Sequence, residues 1–282
     1  MSVKPGAGHP PTGTFSCVTY QLAIIGGGNM GEALLGGLLD AGWAPADRIA
    51  VVEIVPARRA VLADRYPGVT VVDQVPECEA ALIAVKPGDA AAATSAAVGR
   101  GARRVLSIAA GVTLATLEAA SGSAAVVRSM PNTPALVGAG ASAIAPGAHA
   151  QEADLVWAES ILSAVGTVTR LAEPLLDAFT GLIGSGPAYV YLVAEALIDA
   201  GVLVGLPRPA ARALVTQLLV GSAKLLADSG DLPEVLRANV TSPGGTTAAG
   251  LRELEQHGVR GAVLAAVEAA TARSRELGAP KR

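Results

Sequence analysis

Apolar residues fall into two different rhythms along this chain. Between Tyr20 and about Arg170 they form short runs: Gln21–Ile25, Ile49–Val52, Val69–Val72, Ala81–Val85, Arg104–Ile108 and Ala125–Arg128, most of them rich in Val and Ile. Runs that are apolar without alternation suit strands of a parallel sheet covered on both faces. Between them, segments such as Glu32–Ala41 and Ala57–Arg65 carry apolar residues at helical spacing, and Gly42 stands where a helix C′ residue is expected. Strand and helix in repeated alternation predict an α/β fold built on a Rossmann-type, doubly wound sheet.

After Glu173 the rhythm lengthens and the strand-like runs stop. Ser185-Gly186-Pro187 reads as a helix entry, with proline at a first-turn position where its missing N–H costs nothing. That helix is expected to reach about Ala200. Pro209 opens a second helix ending near Gly230, Pro233–Arg237 a short one, and two more follow over Thr247–Gln256 and Val259–Leu277. The 187–200 helix is apolar nearly all round, which predicts burial in a bundle or a subunit interface. The expected organisation is a disordered tail over 1–17, a dinucleotide-binding domain over 18–172, and an all-helical substrate-binding and oligomerisation domain over 173–282.

Composition narrows the function. With 51% hydrophobic and 16% charged residues, the 282-residue chain can bury a sizeable core. Its net charge of −3, its 3% aromatic content and the lack of a basic run argue against a nucleic-acid partner. Mean hydropathy is +0.47, yet the best membrane candidate, Val190–Leu206, is interrupted by Glu195 and Asp199 and reads as a helix of a soluble protein. The two cysteines, Cys17 and Cys78, form no CxxC pair. A reducing cytoplasm is the expected setting, with no metal site.

The densest chemistry is Gly26-Gly27-Gly28-Asn29-Met30-Gly31, where Gly26, Gly28 and Gly31 fit G-x-G-x-x-G at the end of the first strand. Such a turn brings backbone close to a pyrophosphate and aims a helix N-terminus at it. Glu53 ends the second strand, where an acid accepts from an adenine ribose hydroxyl and favours NAD. Arg58 and Arg59 follow and would cradle the extra phosphate of NADP, so the residues leave the choice open. Ala84-Val85-Lys86-Pro87 ends another strand near the cofactor crevice. Arg128 to Pro134, with two prolines, reads as a rigid ligand-facing loop after the sixth strand. In the helical half, Gly244 and Gly245 precede a helix and form a candidate anion nest for a substrate carboxylate. His9, His149 and His257 adjoin no motif, so a reductase built this way needs a substrate that requires little acid catalysis. A protonated imine meets that condition.

Together these motifs resemble the pyrroline-5-carboxylate reductase family over about Tyr20–Leu277. The resemblance rests on IIGGGNMGEAL at 24–34, AVKP at 84–87, RSMPNTPALVGAG at 128–140, GSGPAYVYLVAEAL at 184–197 and VTSPGGTTAAGLRELE at 240–255. It implies hydride transfer to carbon 5 of 1-pyrroline-5-carboxylate, giving L-proline. It also implies that Thr247 donates to the ring nitrogen and that the backbone of Gly245, Thr246 and Thr247 holds the carboxylate. Asn239 and Glu173 would line the ligand cleft. Gly26, Gly28, Asn29, Met30, Gly31, Glu53, Arg58, Ala84, Val85, Lys86 and Pro87 would contact the cofactor, with Asn132 and Thr133 near the nicotinamide. The implied cofactor is NADPH, with NADH possible, and the implied assembly is a homodimer that builds a decamer. Two other readings fit less well. A 3-hydroxyisobutyrate-type dehydrogenase would need a lysine and asparagine spacing that Lys224 and Asp228 do not supply. A dinucleotide sensor would have no use for the 243–247 loop.

Overall fold

A computed structural model of the chain describes residues 19–279; the expected tail over 1–17 lies outside the described residues. Eight strands form one sheet in the order β3-β2-β1-β4-β5-β6-β7-β8. They are β1 (Leu22–Ile25), β2 (Ile49–Val52), β3 (Thr70–Val72), β4 (Ala80–Ile83), β5 (Arg104–Ser107), β6 (Ala125–Pro131), β7 (Gly140–Pro146) and β8 (Gly166–Arg170). β1 pairs in parallel with both β2 and β4, so the strand order reverses there and opens a crevice at the strands' carboxyl ends. All four residues of β1, β2 and β4 are buried, as strands covered on both faces require.

The helices over the sheet begin and end where the sequence marks them. α1 (Asn29–Asp40) stops at Gly42, which takes φ +62° and lets the Trp43 N–H turn back to the Leu38 carbonyl. α2 (Pro56–Arg65) starts on its proline, α3 (Ala90–Gly99) follows β4, and α4 (Leu114–Ser121) is capped by the Thr113 hydroxyl. One face of the sheet packs Leu34, Leu35, Leu38, Leu62, Ile161 and Leu162 against Ile24, Leu82 and Val127. The other face packs Ala90, Ala97, Leu114 and Leu117 against Ile83 and Val105.

Two features depart from the sequence-based expectation. β6 continues through Ser129, Met130 and Pro131 because β7 folds back on it antiparallel, pairing Pro131 with Ser142. The loop expected over 128–134 therefore begins only at Asn132. β7 and β8 extend the sheet beyond the six expected strands. β7 is rich in Gly and Ala and β8 is largely polar, so neither carries the branched apolar signature.

After α5 (Glu152–Leu162) and β8 the chain becomes helical: α6 (Leu176–Phe179), a π-turn over Thr180–Gly184, α7 (Gly186–Leu203), α8 (Arg208–Ser229), α9 (Pro233–Asn239), α10 (Thr246–Gln256) and α11 (Val259–Gly278). α11 returns to the junction, where its Ser274 hydroxyl donates to Asp177 Oδ1 at 2.6 Å. Gly181 lies so close to it that an added Cβ would stand 2.2 Å from Thr271 Oγ1. α7 buries no residue. Val190, Tyr191, Leu192 and Val193 are each at least half exposed, so the expected burial in a bundle does not occur within one chain. The 173–203 stretch and α8 are also long and apolar enough to cross a membrane by length and composition.

Candidate active site

The first βα turn shows three glycines in three different physical situations. Gly26 takes φ +109°, and a Cβ there would stand 2.5 Å from the Ala84 carbonyl oxygen at the end of β4. A Cβ on Gly31 would stand 2.0 Å from the Gly26 carbonyl oxygen, so the start of α1 rests directly on the turn. Gly28 has no neighbour within 4 Å of an added Cβ and is exposed, as is Asn29. No side chain caps α1, so its first-turn N–H groups face open space beside Gly28. A pyrophosphate fits this cradle: close packing holds the turn on two sides, and the third side is free backbone at a helix N-terminus.

Gly27, between them, is buried. Its N–H donates to Glu53 Oε2 at 3.2 Å, and its carbonyl accepts from Arg58 Nε at 2.8 Å. Glu53 stands just past β2, as expected, and its Oε1 accepts the Val55 N–H at 2.8 Å. The far end of Arg58 pairs with Glu32 of α1. Glu32 also accepts from Arg65 Nη1 at 2.8 Å and from the Tyr66 hydroxyl at 3.3 Å. Burial pushes the Glu32 carboxyl up, but the hydrogen bond and charge of Arg58, with help from Arg65 and Tyr66, hold it below the usual glutamate range. Arg59 points elsewhere. Its Nη1 donates to the Glu53 carbonyl at 2.8 Å and the Ile54 carbonyl at 3.0 Å, and its Nη2 lies 3.7 Å from Asp73 just after β3. Glu32 and Asp73 had no signal in the sequence, since nothing local announces pairings that span 14 residues for Asp73 and 26 or more for Glu32.

Across the crevice, Ala84 and Val85 continue from β4 as half-buried residues, while Lys86 and Pro87 are exposed at the start of a 3-10 turn. Asn132 follows β6 and does two jobs at once: its Oδ1 accepts the Ala141 N–H at 2.8 Å, and its Nδ2 donates to the Ile183 carbonyl in the π-turn at 3.3 Å. Thr133 beside it is exposed. Four residues earlier, buried Arg128 donates to Glu173 Oε1 at 2.8 Å, and the same oxygen accepts the N–H of Leu114, the first residue of α4, at 2.6 Å. The Glu173 carboxylate is thus bonded into the junction between β6, α4 and the helical region.

The candidate carboxylate site, expected around Gly244 and Gly245, lies in the helical region. Asn239 is the exposed last residue of α9. Gly244 takes φ +68°, and the Gly245 N–H closes the turn on the Ser242 carbonyl at 3.0 Å. The expected pair of free glycine N–H groups is therefore replaced by the first turn of α10, with Thr246 exposed and Thr247 half-buried. No side chain caps this helix start. Lys224, the alternative catalytic lysine, pairs with Asp228 at 2.6 Å on the exposed face of α8.

A cavity of about 900 Å³ lies at the amino-terminal ends of β1, β4 and β5 and is lined by Gln21, Glu79, Arg100 and Arg104. Ligands of open α/β sheets bind outside the carboxyl ends of the strands, so the chemistry belongs at the Gly26 crevice. Among the described residues no group of three His, Cys, Asp or Glu side chains could hold a metal ion.

A Rossmann-type sheet with this turn, joined to a region of long helices, defines the class of nicotinamide-dinucleotide oxidoreductases. Comparison with known proteins makes this specific. Residues 21–111 match the family described as NADP oxidoreductase, coenzyme F420-dependent, and residues 173–277 match pyrroline-5-carboxylate reductase dimerisation. The chain is 44% identical over 266 residues to the pyrroline-5-carboxylate reductase of a Synechocystis species, covering 93% of this chain and 99% of that protein. It is also 44% identical to the Mycobacterium tuberculosis enzyme of the same name, covering 91% and 96%. The solved structure of the Coxiella burnetii reductase superimposes with a TM-score of 0.85 at 31% identity, covering 93% of this chain and all, 100%, of that one. A Plasmodium falciparum pyrroline carboxylate reductase with NADP bound gives 0.80 at 31%, covering 92% and 98%. The chain belongs to the pyrroline-5-carboxylate reductase family and is an NAD(P)H-dependent oxidoreductase.

Proposed function

We propose that this chain completes proline biosynthesis by reducing the C=N bond of 1-pyrroline-5-carboxylate to L-proline, with its two anion-binding turns dividing the work. The observation that carries this reading is the α10 entry, where free N–H groups and the Thr247 hydroxyl stand together on a region separate from the dinucleotide turn. The bound reduced nicotinamide supplies the hydride that adds to carbon 5. Thr246 and Thr247 hold the substrate carboxylate through backbone N–H groups aided by the helix dipole. The Thr247 hydroxyl oxygen accepts the N–H of the protonated ring nitrogen and orients the ring, and it donates to that nitrogen once hydride addition has made it a neutral amine. Because the imine nitrogen is already protonated, hydride addition gives the neutral amine without a protein acid. Asn239 borders this turn, and residues 18–172 and 173–282 form the cofactor-binding and substrate-binding parts. Ala84 to Pro87, Asn132 and Thr133 border the nicotinamide end. NADPH is the reductant, and NADH also serves.

Replacing Thr247 with Ala removes one hydrogen bond at the reacting group, so kcat/KM should fall about 10- to 100-fold. Cofactor affinity, read by quenching of the reduced nicotinamide's fluorescence, should not change. An unaltered kcat/KM would remove Thr247 from the mechanism.

The exposed apolar faces of α7, α8 and α11 need a cover, and a second copy of this chain supplies one with matching apolar character. The helix lengths that meet the demands of a membrane span are equally those of such an interface, and the match to a dimerisation family over this region favours the interface. In this reading the protein works in the cytoplasm, where Cys78 remains a buried free thiol. The purified protein should run as a dimer or larger in light scattering without detergent; a stable monomer would contradict the assignment. The decamer rests on the family resemblance, and the same measurement separates it from a dimer.

A further inference from the structure

We propose that Arg58 is a positioning residue for the dinucleotide turn, held in place by Glu32, and that discrimination at the adenine ribose falls to Glu53 and Arg59. The proposal rests on the reading of the Gly26–Gly31 turn as the cofactor site. The peptide groups on either side of buried Gly27 are gripped from β2 and α2: the N–H by Glu53 and the carbonyl by Arg58 Nε. Gly27 has no room to move sideways, since a Cβ on it would stand 2.5 Å from Leu62 Cδ1. The other end of Arg58 pairs with Glu32, whose side chain is only 13% exposed. Arg65 and Tyr66 complete the ring around that carboxylate. Nε and Nη2 of Arg58 are thus committed to the turn and to Glu32, which leaves Nη1 alone for any phosphate, whereas a bidentate grip by the guanidinium would displace one of those two bonds.

Arg59 is under no such constraint. It is anchored by one nitrogen on the carbonyls that end β2, and its other end meets only Asp73, at 3.7 Å with that carboxylate 62% exposed. A pair at that distance with so exposed a carboxylate is weakly held and readily exchanged, although Arg59 itself is 24% exposed. The end of β2 is where the ribose 2′ position is read in this fold. Glu53 there suits a free hydroxyl, and Arg59, released from Asp73, suits a phosphate. Glu32 and Arg58 set the shape of the turn that both cofactors share.

Steady-state kinetics of Arg58→Ala, Glu32→Gln and Arg59→Ala with NADH and NADPH, at saturating 1-pyrroline-5-carboxylate, separate these roles. Arg58→Ala should raise KM for both cofactors by the same factor, about tenfold for a charge-assisted hydrogen bond. The kcat should hold, and so should the KM for the imine, measured in a second series that varies the imine at saturating cofactor. Glu32→Gln should act in the same direction on both cofactors, and Arg59→Ala should raise KM for NADPH alone. A selective loss of NADPH in Arg58→Ala would make it a phosphate ligand and overturn the proposal. So would an equal fall in kcat with both cofactors that tracks a lower folded fraction, because that is a purely structural role. Unaltered KM values in Arg58→Ala would overturn it as well. Failure of the parent protein to bind either cofactor is a different result, which removes the cofactor site itself.

Discussion

Gly28→Ala should cost the protein its cofactor and nothing else. An added methyl at Gly28 meets no atom within 4 Å, and its backbone angles of φ −70° and ψ −176° suit any residue, so thermal unfolding should match the parent. The methyl would occupy the space through which a pyrophosphate approaches the backbone. Overpacking of this kind costs about 1–3 kcal/mol, which is about 5- to 150-fold in affinity. Gly31→Ala should behave differently, because its methyl would stand 2.0 Å from the Gly26 carbonyl oxygen. That contact is backbone against helix and cannot relax by rotating a side chain. Stability and cofactor affinity should fall together. Fluorescence titration and thermal unfolding of the two variants check the contrast. Undiminished NAD(P)H binding in Gly28→Ala would mean that the pyrophosphate does not lie on this turn.

The second large effect is at the domain junction. Glu173→Ala would leave Arg128, whose side chain is 9% exposed, without its carboxylate and would strip the first N–H of α4 of its acceptor. Breaking a buried pair on one side costs about 3–5 kcal/mol, and the 30% exposure of the Glu173 side chain places this case at the lower end. Glu173→Gln keeps a neutral acceptor and should lose less. The double variant Arg128→Met with Glu173→Gln should recover part of the loss, since it leaves no buried charge unpaired. Denaturant unfolding measures all three. If Glu173→Ala instead raised the KM for the imine and left stability untouched, Glu173 would belong to the substrate cleft and not to the junction.

The parts of this fold that the sequence made legible are those governed by local chemistry. β1 and β2 are four-residue apolar runs, and every residue in them is buried. α2, α7, α8 and α9 each carry a proline in their first turn, and Gly42 and Gly230 end helices with positive φ. β7 and β8 escaped because Gly-Ala-Ser-Ala and Gly-Thr-Val-Thr carry little branched apolar signal, and their strand character comes from pairing with β6 and with each other. The glycine spacing of the dinucleotide turn was legible because it falls as a fixed pattern at a strand-to-helix turn, although only Gly31 answers a steric demand within that turn: Gly26 packs on Ala84, and Gly28 meets no atom of the chain. What Arg58, Asn132 and Glu173 touch was not legible. Their partners, Glu32, Ile183 and Arg128, lie 26, 51 and 45 residues away, and only the tertiary fold brings them together. The spacing of Arg58 and Arg59 after β2 suggests two equivalent phosphate ligands, whereas the two arginines point into different networks.

The central claim is that one chain binds a reduced nicotinamide cofactor on the Gly26–Gly31 turn and a cyclic imino acid on the α10 entry. Its most direct test follows the absorbance of NADPH, and separately of NADH, with 1-pyrroline-5-carboxylate and the purified protein. The account predicts oxidation that depends on the imine, yields L-proline, and drops sharply in Thr247→Ala while cofactor binding persists. Cofactor binding without any turnover of the imine would contradict it and leave a dinucleotide-binding protein in place of a reductase.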